Sequence, residues 1–540
     1  MKDISSTGSF IDFTLENFIY VDKTEYIPKL VKLKRVFISR PRRFGKSLTL
    51  DTIATLFETG VEPYFKGTWI YDKWTEPTYP VLRLNFLNFD KNSLEKFNNK
   101  LNSKITEFAE LNHVTTYKEK KEAEDSIDHL LEQLRLENRQ IVILIDEYDC
   151  QMTANINNET LYKQFQEKIK SFYATIKNKW PIKFLGITGV TRLKDVEIFS
   201  IGSDINDITN ESAFSQLIGF TRDEIKKYYI DHLKLAASYE NKCRVEEVTD
   251  AQIESMLDMM AQNYDGYCFD EDYEKKVFNT WSVNKFFQTM VGKKKVQFGE
   301  YWYDNGGLPS ILVNYLKTHE LNIFEYLDKD KFLKVSSDDF KNPTALTTIN
   351  QNVLMCQTGY LTLRSDLNKT STVALGIPNG EIYKALNRLL ANNIFKGNTD
   401  ITDDYGRSLL EVGTVDDIIN LFNSALNSVS YDNYPIVSES SVQNMLKLYL
   451  LGAHQKVLSE VHEAKGRADL VVNTDNRRIV FEFKYAKNET EAKSKLLDAV
   501  EQIKTRDYGN IVPNKTELLR IAAVFNADPK VRAFTEYQEV

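Results

Sequence analysis

Val36-Phe-Ile-Ser-Arg-Pro-Arg-Arg-Phe-Gly-Lys-Ser-Leu-Thr-Leu50 is the stretch on which the reading of this chain turns. Val36 to Ile38 reads as a buried strand, the next residues as a tight polar loop, and Gly45-Lys46-Ser47 as the entry to a helix. That is the layout of a phosphate-binding P-loop, in which the N–H groups of the loop and of the first helical turn converge on one spot. Lys46 would reach the outer phosphates of a nucleotide, and the Ser47 hydroxyl would bind magnesium. Arg42, Arg43, Phe44, Gly45 and Leu48 complete the expected cradle. One departure is visible: Arg40 stands where the usual pattern has its first glycine. A basic turn before an amphipathic helix would use the same residues.

Downstream runs fit a parallel sheet around that loop. Val81–Phe86 is strand-like, and Ile141–Ile145 is five consecutive aliphatic residues, the pattern of a strand covered on both faces. Asp146 and Glu147 follow directly, at the strand end where open α/β sheets bind ligands. Asp146 is suited to hold magnesium through water, and Glu147 to orient or deprotonate an attacking water. An Asp-Glu turn after a buried strand is the plainer alternative. Ile182–Ile187 is a further strand, ending at Thr188, which could sense a terminal phosphate. Arg192 fits an ordinary surface ion pair at least as well as a phosphate contact.

Bulk properties bound the rest. At 540 residues, roughly three to four domains are expected. A hydrophobic content of 42% argues against wholesale disorder. The net charge of −8 does not advertise nucleic-acid binding, although a local basic face is compatible with it. Cys150, Cys243, Cys268 and Cys356 are scattered, which suggests neither a zinc site nor a disulfide framework. Met1–Gly8 lacks a signal-peptide core and no apolar run is long enough to span a bilayer, so a cytoplasmic protein without membrane contact is expected.

Arg40-Pro-Arg-Arg-Phe-Gly-Lys-Ser47 after Tyr20-Val-Asp-Lys-Thr24, with Leu144-Ile-Asp-Glu-Tyr-Asp149 and Thr188-Gly-Val190, resembles the bacterial AAA-ATPase-like family. The resemblance continues through Leu217–Thr221, Tyr264–Tyr267 and Phe278–Ser282. It implies an α/β P-loop NTPase domain over residues 1–220, a parallel sheet flanked by helices, with a helical lid over 221–320. It gives Lys46, Ser47, Asp146 and Glu147 the roles stated above, with ATP and Mg2+ as ligands. Thr221 with Glu224 reads as a capping box that opens the lid. Tyr264, Tyr267, Phe269 and Trp281 read as core aromatics rather than a base-stacking surface. Residues 321–430 carry mixed signals and no chemical motif, and Gly397–Gly406 reads as a loop or linker.

A second centre lies in residues 431–540. A helix near Val442–Leu451 leads to Val457–Glu460, then Gly466-Arg-Ala-Asp469-Leu-Val-Val472, a turn, and Ile479-Val-Phe-Glu482-Phe-Lys484. Side chains two apart on a strand point the same way, so Glu482 and Lys484 share a face. A hairpin would set Asp469 beside Glu482, and the pair could hold divalent ions that polarise a phosphodiester. Lys484 would position the attacking water or stabilise developing charge. A solvated cross-strand charge pair is the plain alternative. With a helix over Asn488–Arg506 and a strand over Leu518–Phe525, the order is similar to the PD-(D/E)XK, restriction-endonuclease-like α/β fold. By that likeness Glu460 matches the upstream acidic, metal-binding position, and Gln502 with Tyr508 the flanking helix motif. His462 and Glu463 read as a surface pair.

The expected function is an ATP-binding, ATP-hydrolysing protein coupled to a metal-dependent nuclease acting on nucleic acid, DNA ahead of RNA. The alternative is a nucleotide-gated binding or signalling module with an inactive nuclease-like domain. A translocating motor has no helicase motif to support it, and a homo-oligomer stays open.

Overall fold

The apolar runs form a single parallel sheet. In the computed structural model its strands are β1 (Arg35–Ser39), β2 (Val81–Asn85), β3 (Ile141–Asp146), β4 (Ile182–Gly189) and the short β5 (Asn206–Asp207). The structure describes all residues except 194–203, 303–309, 317–322, 344, 396–403, 454, 464–465, 507 and 509–516. Strand order is β2-β3-β4-β1-β5 and every pairing is parallel. β1 and β3 are buried along their whole lengths, which explains the apolar runs Val36–Ile38 and Ile141–Ile145 within them. β2 lies at the sheet edge and buries only Leu82 and Leu84, so its sequence alternates. β4 separates β1 from β3, and the parallel direction brings the ends of all three to one edge, where ligands bind in such sheets.

Contacts divide the chain into two compact units: Met1–His319 with Phe332–Ile382, and Glu320–Lys331 with Tyr383–Val540. In the first unit the helices Arg222–Tyr228, Ile230–Asn241, Asp250–Tyr264 and Thr280–Lys293 pack around Leu233, Met256, Leu257, Met260, Phe286 and Phe287. Thr221 caps the first of them, and its capping box with Glu224 is present, as the spacing implies. Tyr264 and Tyr267 are buried core, as read from sequence. Phe269 and Trp281 are only partly buried, and each carries a guanidinium on its ring face: Arg40 on Phe269 and Arg43 on Trp281, both at 4.1 Å.

Residues 332–382 belong to the same unit. They form a small antiparallel sheet of β6 (Leu333–Ser336), β7 (Thr362–Leu363) and β8 (Thr372–Gly376), with β8 in the middle. Thr362 Oγ1 accepts from Cys268 N at 2.8 Å, and the Tyr267 hydroxyl donates to Gly359 O at 3.2 Å. These bonds fasten the segment to the turn between the helices Asp250–Tyr264 and Thr280–Lys293.

The second unit holds a five-stranded mixed sheet: β9 (Lys456–Glu463), β10 (Gly466–Asn473), β11 (Arg477–Ala486), β12 (Glu517–Asn526) and β13 (Ala533–Glu539). Their order is β13-β12-β11-β10-β9. β11 and β12 run parallel, so their connection must cross over, and the helix Glu489–Arg506 supplies the crossover. The expected helix–strand–strand–helix–strand order is present, with β9 inserted between the first helix and β10 and with β13 added at the end. Of the expected loop Gly397–Gly406, residues 397–403 lie outside the described residues, whereas Asp404–Gly406 open the helix Asp404–Val412. Among the described residues no helix is long and apolar enough to cross a membrane.

Arg40, which replaces the usual loop glycine, turns away from any phosphate site. It is 1% exposed, and its Nη1 donates to Ser39 O at 2.9 Å and Thr209 O at 2.7 Å. Burial brings its pKa down to about 9. The guanidinium is therefore a strut between the end of β1 and the chain after β5. Arg40→Gly, which restores the common loop residue, is expected to lower stability by roughly 2–3 kcal/mol in urea unfolding, from unpaired carbonyls and the lost ring contact. A variant as stable as the parent would contradict the strut.

Candidate functional site

The loop from Arg40 to Gly45 leaves β1 and enters the helix Lys46–Thr59. Gly45 caps this helix at φ 102°, a left-handed conformation that glycine adopts without strain. Arg43 at φ 67° and Glu147 at φ 53° are left-handed without that freedom, each at a cost on the order of 1 kcal/mol. Strain of this kind persists where surrounding contacts hold it, and here they do. The Lys46 ammonium donates to Arg40 O at 3.1 Å and Pro41 O at 3.3 Å, and lies 3.4 Å from Glu147 Oε1. The Ser47 hydroxyl donates to Asp146 Oδ2 at 2.6 Å, while Asp146 Oδ1 accepts from the Thr188 hydroxyl at 2.5 Å and from Glu147 N at 3.1 Å.

Asp149 secures the same edge from below. It is buried, and its Oδ2 accepts from Thr191 N at 2.7 Å and from Thr191 Oγ1 at 2.5 Å. Burial, and next the Glu147 charge, hold its carboxyl above the usual range. Arg192 forms an ion pair with Asp207, the plainer of its two expected roles.

The loop lines a cavity of about 460 Å³. Arg42, Arg43, Phe44, Gly45, Lys46, Ser47, Leu48 and Glu147 contribute to its wall. Phe13, Ile19, Val21, Leu217, Phe220 and Tyr229 supply apolar lining. Asp146 and Thr188 are buried and do not line the cavity, so Thr188 acts on Asp146 rather than on the space itself. One wall comes from Ser5–Gly8, which sequence reading did not mark. That segment is pinned by the helix Thr280–Lys293, where Asn284 Nδ2 donates to Ser5 O at 3.0 Å and Gln288 Nε2 to Ile4 O at 2.8 Å. Trp281, read as core, also lines the cavity and carries Arg43 on its ring. Arg43 Nη1 is buried with no hydrogen-bond partner, a donor available to an anion.

The second centre lies on β10 and β11. Their antiparallel register pairs Leu470 with Phe481, which sets Asp469 opposite Glu482 as the hairpin reading requires. Asp469 Oδ2 accepts from Phe483 N at 2.8 Å. Glu482 is fully buried, and its Oε2 has no hydrogen-bond partner. Burial, and next the Asp469 charge, push its carboxyl up to about 7. Lys484 Nζ donates to Glu482 Oε1 at 2.7 Å and reaches Glu439 Oε1 at 3.4 Å. Glu439, in the first turn of the helix Glu439–Gly452, was not marked in the sequence; its Ser438 cap was the only local signal. Glu460 lies on β9, but its side chain, like those of His462 and Glu463, lies outside the described residues. Gln502 Nε2 donates to the hydroxyl of buried Tyr508 at 3.3 Å, so that pair does meet. An unpaired carboxylate oxygen beside a second carboxylate fits a divalent cation, with Asp469 and Glu482 as the groups to hold it.

Two family models match separate parts of the chain. Residues 5–199 match the family described as "Predicted AAA-ATPase", and residues 437–535 match the PD-(D/E)XK nuclease superfamily. An uncharacterized protein encoded in the vnfD 5′ region of Azotobacter chroococcum mcd 1 is 25% identical over 533 residues, 95% of this chain and 94% of its own. The crystal structure of Cdc6p from Pyrobaculum aerophilum overlaps 68% of this chain and 93% of its own at 10% identity and a TM-score of 0.25. A likeness at that score carries no argument, and the fold rests on strand order and the family matches. This chain therefore joins an AAA-ATPase-like domain of P-loop NTPase fold to a C-terminal domain of the PD-(D/E)XK nuclease superfamily.

Proposed function

We propose that the N-terminal domain binds and hydrolyses ATP, and that the C-terminal domain cuts nucleic-acid phosphodiester bonds with a divalent cation under control of the nucleotide. The buried, half-paired carboxylate of Glu482 carries the nuclease half of this reading. Burying an acid with one oxygen unpaired costs stability, and such groups occur where a cation or a reaction uses them. A domain that only gripped nucleic acid would have no use for it.

The cavity supports the nucleotide half. Its loop residues offer N–H groups at a helix start, the Lys46 ammonium and the unpartnered Arg43 Nη1 for a triphosphate. Its apolar lining suits a base. Lys46 now rests on two carbonyls and Glu147, contacts that a phosphate, with full negative charge, would replace. Ser47 and Asp146 would hold magnesium, Thr188 keeping the Asp146 carboxylate oriented. Glu147 would orient the attacking water. At the second centre, a cation on Asp469 and Glu482 would supply charge stabilisation to the phosphodiester. Lys484, fixed by two carboxylates, would steady the developing charge. Control by ATP requires that the nucleotide favour one state of the C-terminal domain over another.

Two substitutions test the two halves. Lys46→Ala is expected to remove the thermal stabilisation that ATP gives the parent, about 2.7 kcal/mol at a hundredfold excess over Kd. ATP hydrolysis undiminished in that variant would refute the nucleotide site. Glu482→Gln is expected to cut Mg2+-dependent cleavage of labelled DNA or RNA by roughly a hundredfold or more while ATP hydrolysis continues. Cleavage at the parental rate would remove Glu482 from the chemistry.

A further inference from the structure

The acid pair at the C-terminal centre repels the polyanion it is proposed to act on, and the adjacent lysine is already engaged. Lys484 Nζ is held by Glu482 Oε1, Glu439 Oε1 and Phe483 O, at 2.7, 3.4 and 3.2 Å. A further positive side chain would hold an arriving phosphate beside the divalent cation proposed for Asp469 and Glu482.

Arg506, the last residue of the helix Glu489–Arg506, is placed for that task. Its side chain is exposed, yet its Nη1 donates to the Tyr508 hydroxyl at 2.9 Å. Gln502, one turn earlier on the same helix, donates to that oxygen from the other side. Tyr508 is fully buried, and its carbonyl accepts from Arg520 Nε on β12 at 2.6 Å. The phenol is thus a fixed post rather than a mobile tip, and it spares the guanidinium much of the rotamer entropy that binding would otherwise cost. The remaining N–H groups of Arg506 have no partner among the described residues. Tyr508 packs in one buried cluster with Val480 and Ala522; Val480 shares a face of β11 with Glu482, and Ala522 is the register partner of Glu482, so the post stands on the face of the sheet that carries this acid.

We propose that Arg506 holds a backbone phosphate of the nucleic acid against the Asp469–Glu482 centre, with Gln502 and Tyr508 positioning its guanidinium. This rests on the nuclease reading above. The planar fork can grip a phosphate through two parallel bonds while Nη1 stays on the tyrosine. A purely structural Arg506, closing the helix end and covering Tyr508, would change melting temperature and leave the ionic character of binding alone.

The test uses the full chain carrying Glu482→Gln, so that a fluorescein-labelled DNA duplex is bound without being cut. Affinity is measured with Mg2+ across a series of KCl concentrations. Adding Arg506→Ala is expected to weaken binding about tenfold and to lower the salt slope by about one. Arg506→Lys restores most of that slope, and in the otherwise parental chain Arg506→Ala raises KM far more than it lowers kcat. Unchanged affinity and slope in Arg506→Ala, in a protein whose parent cleaves DNA, would overturn the proposal alone. A parent that neither cuts nor binds DNA or RNA with any divalent cation would overturn the nuclease reading and this proposal together.

Discussion

Asp146 is where the ends of the central strands are tied to the phosphate loop. Its two oxygens are divided between the Ser47 hydroxyl on the P-loop helix and the Thr188 hydroxyl at the end of β4. The strand order makes this geometry possible, because β4 lies between β1 and β3 and all run the same way. Backbone bonds reinforce it: Arg40 N donates to Gly189 O and Tyr148 N to Thr188 O, both at 3.1 Å. Gly189 has no room for a side chain, since a Cβ there would collide with the Tyr148 ring and the Asp149 carboxylate. The loop, the acidic turn and the end of β4 therefore form one rigid edge, and the cavity lies over it. Remove the carboxylate and two hydroxyls lose the acceptor that aligns them.

The C-terminal centre follows a different logic. There the sheet buries an acid instead of displaying it. Glu482 sits between Phe481 and Phe483 on a strand paired on both sides, and burial raises its pKa while the Lys484 ammonium opposes that rise. At the nucleotide end the Asp146 carboxylate is satisfied by hydrogen bonds already in place, while here Glu482 Oε2 has none. That contrast agrees with the proposal of a preformed nucleotide site and of a nuclease site that a divalent cation would complete.

Much of this was legible in the chain because it is local. Ile141–Ile145 reads as a doubly covered strand and is one, and Gly45-Lys46-Ser47 reads as a helix entry and is one. Asp469 and Glu482 face each other because strand periodicity and one short turn fix the hairpin register. What was not legible depends on distant partners. Arg43 takes the hydroxyl of Thr280, 237 positions away, and no local pattern announces that Trp281 is a cavity wall. Arg40 looked like a missing glycine; only the carbonyl of Thr209 and the ring of Phe269 explain it. Ser5–Gly8 is unremarkable until Asn284 and Gln288 fix its backbone over the loop. Residues 332–382 carried no motif because their role is packing, with Gly359 set against Pro41 at the base of the loop.

The claim that binds the two halves is that an occupied loop governs the acid pair. It is tested most directly by the initial rate of Mg2+-dependent DNA cleavage by the full chain, with and without ATP, in the parent and in Lys46→Ala. The account predicts that ATP changes the parental rate severalfold and leaves the Lys46→Ala rate where it stands without nucleotide. Equal parental rates with and without ATP would contradict it, even if each centre were active alone.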